Sequence, residues 1–193
     1  MMETDGRKLR GDRRREELIR ATLRLVERDG LAGITHRRVA NEAGVPTAST
    51  TYHFASLDDL LVATLTWCAD EFAVSVRDRV ARAQGDAREE IRQLAEMIAE
   101  ALGPQRGRLI AEYELYLLAA RRPALRPAAH RWADILTALL EHETQDDDVT
   151  FRAFLAGLDG LLLQGLTRGA SLSVEELEPI VASLMRPFRP PRS

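Results

Sequence analysis

No stretch of this 193-residue chain alternates apolar and polar side chains with period two. Its apolar residues recur instead at spacings of three and four almost throughout. That periodicity excludes a sheet and predicts an all-α protein of nine or ten helices. Over 13–29, Leu18, Ile19, Thr22, Leu23, Leu25 and Val26 share one face, and Gly30 stands where a left-handed residue closes a helix. Thr35 is placed to cap a short helix whose inner side is Val39, Ala40 and Ala43, and Gly44-Val45-Pro46 ends it within a turn. A third short helix spans 47–54. Ser56 caps a fourth, whose stripe runs from Leu57 through Leu60, Leu61, Leu65 and Trp67 to Phe72 and Val76. Further helices are predicted at about 87–102, 105–121, 124–143, 148–168 and 173–186, divided by Gly103-Pro104, Arg122-Pro123, an Asp run and Gly169. The Pro-rich end from Arg186 cannot continue as regular helix.

Charge divides the chain unevenly. The net charge is −3, yet residues 1–56 carry 11 basic and 8 acidic side chains, leaving 16 and 22 for the rest. The two parts therefore face different partners. With 45% hydrophobic residues the chain has enough for a sizeable core, which excludes a disordered polypeptide. One cysteine, Cys68, excludes an internal disulfide, and His36, His53, His130 and His142 form no metal-binding pair, so neither metal nor cofactor is expected. The basic start lacks the apolar core of a signal peptide, and no later stretch of about 18 residues is free of charge. A reducing cytoplasm is the expected compartment.

The sharpest local pattern is THRRVANEAGVPTASTTYHF, residues 35–54. Ala40 permits close helix approach, Gly44 supplies a tight turn four residues later, and Val45 fills the angle between two short helices. This is helix-turn-helix spacing. Its second helix would present Thr47, Ala48, Ser49, Thr51, Tyr52 and His53, small or hydrogen-bonding groups suited to a DNA major groove.

With those residues in view, 13–65 resembles the DNA-binding domain of the TetR family of bacterial transcriptional regulators. IRATLRLVERDGLAGITHRRVANEAGV followed by TTYHFASLDDLL tracks the family's first four helices without a gap. The resemblance implies a DNA-binding domain at 1–56 with a basic N-terminal arm, and an effector-binding and dimerisation domain at 57–193. It implies phosphate contacts from Thr35, Arg37, Arg38, Tyr52, His53 and Ser56, and base contacts from Thr47, Ala48, Ser49 and Thr51. The family usually has Tyr at the position of Thr51 and Lys at that of Leu57, so two phosphate contacts change here. Ahead of the first helix, Arg7, Lys8, Arg10, Arg13, Arg14 and Arg15 would form a flexible arm able to enter a minor groove.

The remaining two thirds contain no GxSxG, GxGxxG or P-loop and no nucleophile-base pair, so no catalytic residue is assigned and a binding domain is expected. Within 105–121, Glu112 and Tyr116 lie near one face one turn after Arg108, with Tyr113 and Leu117 beside them. The resemblance places an effector pocket among the helices at about 57–143 and 148–168, lined by Trp67, Phe72, Met97, Tyr113, Tyr116, Trp132 and Leu163. Glu112, Glu114 and Asp159 sit within apolar stretches, and an inward carboxylate among them would suit a cationic effector. Residues 149–166 are too apolar for a solvated face, and Gly157, Gly160 and Gly165 permit close helix contact. In the family this helix and the one at 124–143 pair across a two-fold axis, which implies a homodimer on a palindromic operator.

The expected mechanism is a switch. A small-molecule effector changes the separation of two recognition helices that must sit one DNA turn, about 34 Å, apart, and repression is relieved. Two alternatives are a helical small-molecule binding protein that does not read DNA, and an adapter using the apolar surface of 149–166. The basic first third argues against the former, and homodimerisation would argue against the latter.

Overall fold

The computed structural model describes residues 2–140, 148–169 and 172–188, and among these it is helical without a strand. Nine α-helices follow in order: α1 Met2–Asp29, α2 His36–Glu42, α3 Thr47–His53, α4 Leu57–Ala83, α5 Ala87–Leu102, α6 Arg106–Leu118, α7 Arg126–Leu140, α8 Asp148–Arg168 and α9 Val174–Met185. Single 3₁₀ turns cover Pro123–Leu125 and Arg186–Phe188. Among the described residues the helices end at or near the predicted breaks, and caps explain several of them. Thr35 accepts from the Arg38 N–H, and Ser56 and Asp59 exchange side-chain-to-backbone bonds of 3.0 and 3.1 Å. Gly30 is left-handed at φ 72°. The end of the helix predicted to 143 and the residues after Phe188 lie outside the described residues.

Two boundaries differ from expectation: the helix predicted to 121 ends at Leu118, and the first helix starts earlier than residue 13. Helix α1 begins at Met2, so residues 2–12 continue the helix and are not an irregular arm. Arg, Lys, Glu and Leu are good helix formers, and Gly6 and Gly11 only weaken a helix without breaking it.

The helices gather into two compact units. The first comprises Met1–Cys68 with Ile110–His130, the second Ala69–Leu109 with Arg131–Ser193. In the first, Leu18, Leu25 and Val26 of α1, Val39 and Ala40 of α2, Phe54, and Leu60 and Leu65 of α4 are buried with Ala111, Leu115 and Leu125. Thr22 and Thr64 are buried too, each returning its hydroxyl to the carbonyl one turn back, Leu18 at 2.9 Å and Leu60 at 2.8 Å. In the second unit α5 packs along α9, with Ala95, Ile98, Leu102, Leu177 and Val181 at the centre and α8 alongside.

The glycines of α8 serve two purposes. A Cβ on Gly157 would lie 2.5 Å from Leu184, and one on Gly165 would lie 2.6 Å from Leu102, so these two seat α8 on its own chain. Gly160 faces open space. Beside it Val149, Ala153, Ala156 and Leu163 are exposed along one stripe. By length and composition Val149–Arg168 is apolar enough to cross a membrane, with Arg152 and Asp159 inside it, and little of it is buried.

Candidate DNA-reading surface and effector residues

The turn between α2 and α3 is built from three residues. Gly44 adopts φ 66°, where a side chain would be strained, and Val45 is buried with its N–H on the Ala40 carbonyl at 2.9 Å. Thr50 is fully buried on the inner side of α3, its hydroxyl directed at the His36 carbonyl. With Thr50 inward, helical spacing turns the other α3 residues out. Thr47, Ala48 and Thr51 are exposed, and Ser49 and His53 are partly buried. Tyr52 is 85% exposed, its ring edge-on to His53 with centroids 5.1 Å apart.

Electrostatics around this surface are uneven. Burial and the cations Arg15 and Arg14 hold the His53 imidazole below its ordinary pKa, against the opposing pull of Asp12. Arg37 is exposed at the start of α2. Arg38 is engaged within the protein. It donates to the Gly33 carbonyl at 3.2 Å and pairs with the Asp29 carboxylate. Arg24 and Arg28 both bind Glu42, at 3.1 and 3.0 Å, tying α1 to the end of α2. These arginines push the Asp29 and Glu42 carboxyls below the usual carboxylate range, chiefly through the hydrogen bonds they donate. Thr35 and Ser56 are both exposed while serving as helix caps.

Two further ties in the first unit were not legible in the sequence, because nothing periodic links residues so far apart. Glu114 accepts the Leu31 N–H at 2.9 Å, and Arg122 reaches Asp58 at 2.5 Å. Glu114 is thus engaged by the turn after α1.

The predicted pocket residues fall in both units. In the first, Trp67 has Arg20 over its ring at 5.6 Å, Glu112 and Tyr113 are partly buried, and Tyr116 is 41% exposed. In the second, Phe72 of α4 and Trp132 of α7 are brought together, ring centroids 5.0 Å apart at 37°. Met97 is partly buried, whereas Asp159 and Leu163 lie at the surface of the chain. Asp70 and Arg131 pair at 2.6 Å, joining the same two helices beside the aromatic pair. The Trp132 Nε1 is closed off from solvent with no hydrogen-bond partner among the described residues.

A glycine-turned helix pair with an outward second helix, on a chain whose described residues are helical without a strand, is the architecture of a helix-turn-helix protein. Residues 18–64 match the family model of bacterial regulatory proteins of the tetR family, and residues 85–187 match the tetracyclin repressor-like C-terminal domain. The chain belongs to the TetR family and is a DNA-binding transcriptional regulator. It is similar to a TetR-family member from Streptomyces coelicolor A3, at 44% identity and TM-score 0.77 over 89% of this chain and 97% of that one. It is also 44% identical to the multidrug binding protein EbrR in complex with ethidium, at TM-score 0.75 over 89% and 98% of the two chains. EbrR has been solved with imidazole as well. The HTH-type transcriptional regulator BetI of Burkholderia ambifaria is 33% identical over 81 residues, a match spanning 42% of each chain.

Proposed function

We propose that this chain is a ligand-responsive repressor that binds a palindromic operator as a homodimer and is released by a small-molecule effector. Residues 1–56 form the reading domain, and 57–193 bind effector and dimerise. The observation that carries this is α3, which keeps Thr50 inside and leaves Thr47, Ala48, Thr51 and Tyr52 free to meet DNA. Thr47, Ala48, Ser49 and Thr51 face base edges, while Tyr52, His53, Arg37, Thr35 and Ser56 approach phosphates. Arg38 acts through its hold on Gly33 and Asp29, shaping the turn that precedes α2.

The exposed stripe on α8 supports dimerisation through α7 and α8, since Val149, Ala153, Ala156, Gly160 and Leu163 would otherwise face water. Similarity to EbrR, solved with ethidium and imidazole, supports a flat aromatic effector. A regulator that reads chromosomal DNA works in the cytoplasm, on the nucleoid.

Selection of bound duplexes from a random DNA pool, at stated salt, tests the reading. A palindromic consensus is expected, and binding without a consensus would remove the role given to α3. A screen for effectors that release that operator then follows.

A further inference from the structure

Trp132 offers a donor that no described residue uses. The indole Nε1–H can only donate, and here it is shut away from solvent without an acceptor. A buried N–H left unpaired is unfavourable, so the site gains when an acceptor arrives. The ring carrying it meets Phe72 at 37° with centroids 5.0 Å apart, and both side chains are only partly buried, so another flat ring can rest against them in offset or edge contact. The Arg131–Asp70 ion pair joins α7 and α4 beside these rings, at 2.6 Å, and fixes the two helices that carry them.

We infer that Trp132 Nε1 is a specificity-determining anchor for the effector, whose class is a flat heteroaromatic molecule with a hydrogen-bond acceptor at its ring edge. Phe72 supplies the surface and Trp132 supplies both surface and donor. This rests on the effector reading above and narrows it, because an alkylated ring cation such as ethidium can use the rings but not the donor.

Three two-ring probes of one shape separate the contributions: quinoline, with an acceptor nitrogen, naphthalene, with none, and N-methylquinolinium, a cation whose nitrogen is blocked. Titrated into the full-length protein, quinoline is expected to bind about tenfold more tightly than naphthalene. In Trp132→Phe that preference falls to about one, while Phe72→Ala weakens both probes alike. A second measurement needs only Trp132 intact. In protein carrying ¹⁵N-tryptophan, with the two indole signals assigned through Trp67→Phe, the Trp132 N–H resonance moves downfield on saturation with quinoline and not with naphthalene. Equal affinities for quinoline and naphthalene, or an indole signal indifferent to quinoline, overturn the inference. If ethidium still binds in that case, the effector reading stands. If ethidium and all three probes fail to bind, both fall together.

Discussion

The Glu114 carboxylate accepts the backbone N–H of Leu31 at 2.9 Å, so a side chain on α6 closes the turn that follows α1. Gly30, one residue earlier, is left-handed, and a Cβ there would lie 3.5 Å from the same carboxylate. The turn is therefore folded around Glu114, and it sets the direction in which the chain enters α2. Glu114→Ala strands the Leu31 N–H and is expected to lower stability by about 1–2 kcal/mol. That corresponds to about 2–4 °C in melting temperature per kcal/mol for a chain of this size. Glu114→Gln keeps an acceptor and should lose less than half as much. Thermal unfolding of the two variants side by side checks this, and equal losses would reject the hydrogen bond as the cause.

Arg37 and Arg38 are adjacent in sequence and differ in occupation. Arg37→Ala should weaken operator binding and leave the melting temperature unchanged, reducing the salt dependence of binding by about one counterion. Arg38→Ala releases Gly33 and Asp29 and should lower both stability and affinity. Tyr52→Ala should weaken binding with little change in the salt slope, because the residue carries no charge. Affinities measured across a salt series, together with melting curves, separate the three.

The pKa of His53 gives a signed pH dependence. In the free protein, burial and neighbouring arginines favour the neutral imidazole, whereas a phosphate beside it would favour the charged form. DNA binding then takes up a proton, so affinity should rise as pH falls from the imidazole's pKa in the complex toward its lowered pKa in the free protein, by at most tenfold per pH unit. Stability moves the other way. A folded-state pKa below the unfolded one stabilises above the unfolded value, and that contribution is lost as pH falls through the folded value. His53→Gln should flatten both responses, as read by affinity and by melting between pH 5 and 8. At lower pH, Asp29 and Glu42 act in the same sense on stability, their contribution being lost as pH falls through their depressed pKa values.

The local signals that fixed each helix were readable because they act over a few residues: Gly30 and Gly44 at positive φ, Thr35 and Ser56 as caps, and the apolar spacing of Leu18, Leu25 and Val26. Of the α3 set expected to face outward, Thr47, Ala48, Thr51 and Tyr52 are exposed for the same reason, and Ser49 and His53 only in part. What was not readable depends on charges meeting across the fold. Nothing local says that Arg38 turns inward to Asp29 and Gly33, that Arg24 and Arg28 share Glu42, or that Glu114 serves Leu31. The start of α1 was missed because the dense run of basic residues looks like a solvated arm, while helix propensity carries the backbone on to Met2.

The glycines of α8 bear on packing within the chain and on assembly in separable ways. Gly165 lies against Leu102, which is only 2% exposed, so Gly165→Ala must displace a buried side chain and should cost about 1–3 kcal/mol in any oligomeric state. A methyl group on Gly160 would meet nothing within 4 Å on its own chain, so Gly160→Ala should leave the protomer intact and gain helix propensity. If a second copy covers this stripe, the new methyl group lies in the interface. The larger change Ala156→Arg, on the same exposed stripe, places an unpaired charge there, and should convert the dimer to a monomer in light scattering. Operator affinity should then fall steeply because two half-sites are no longer bound together. Helicity by circular dichroism should be unchanged, which distinguishes lost assembly from lost folding. A dimer that survives Ala156→Arg would move the interface off α8.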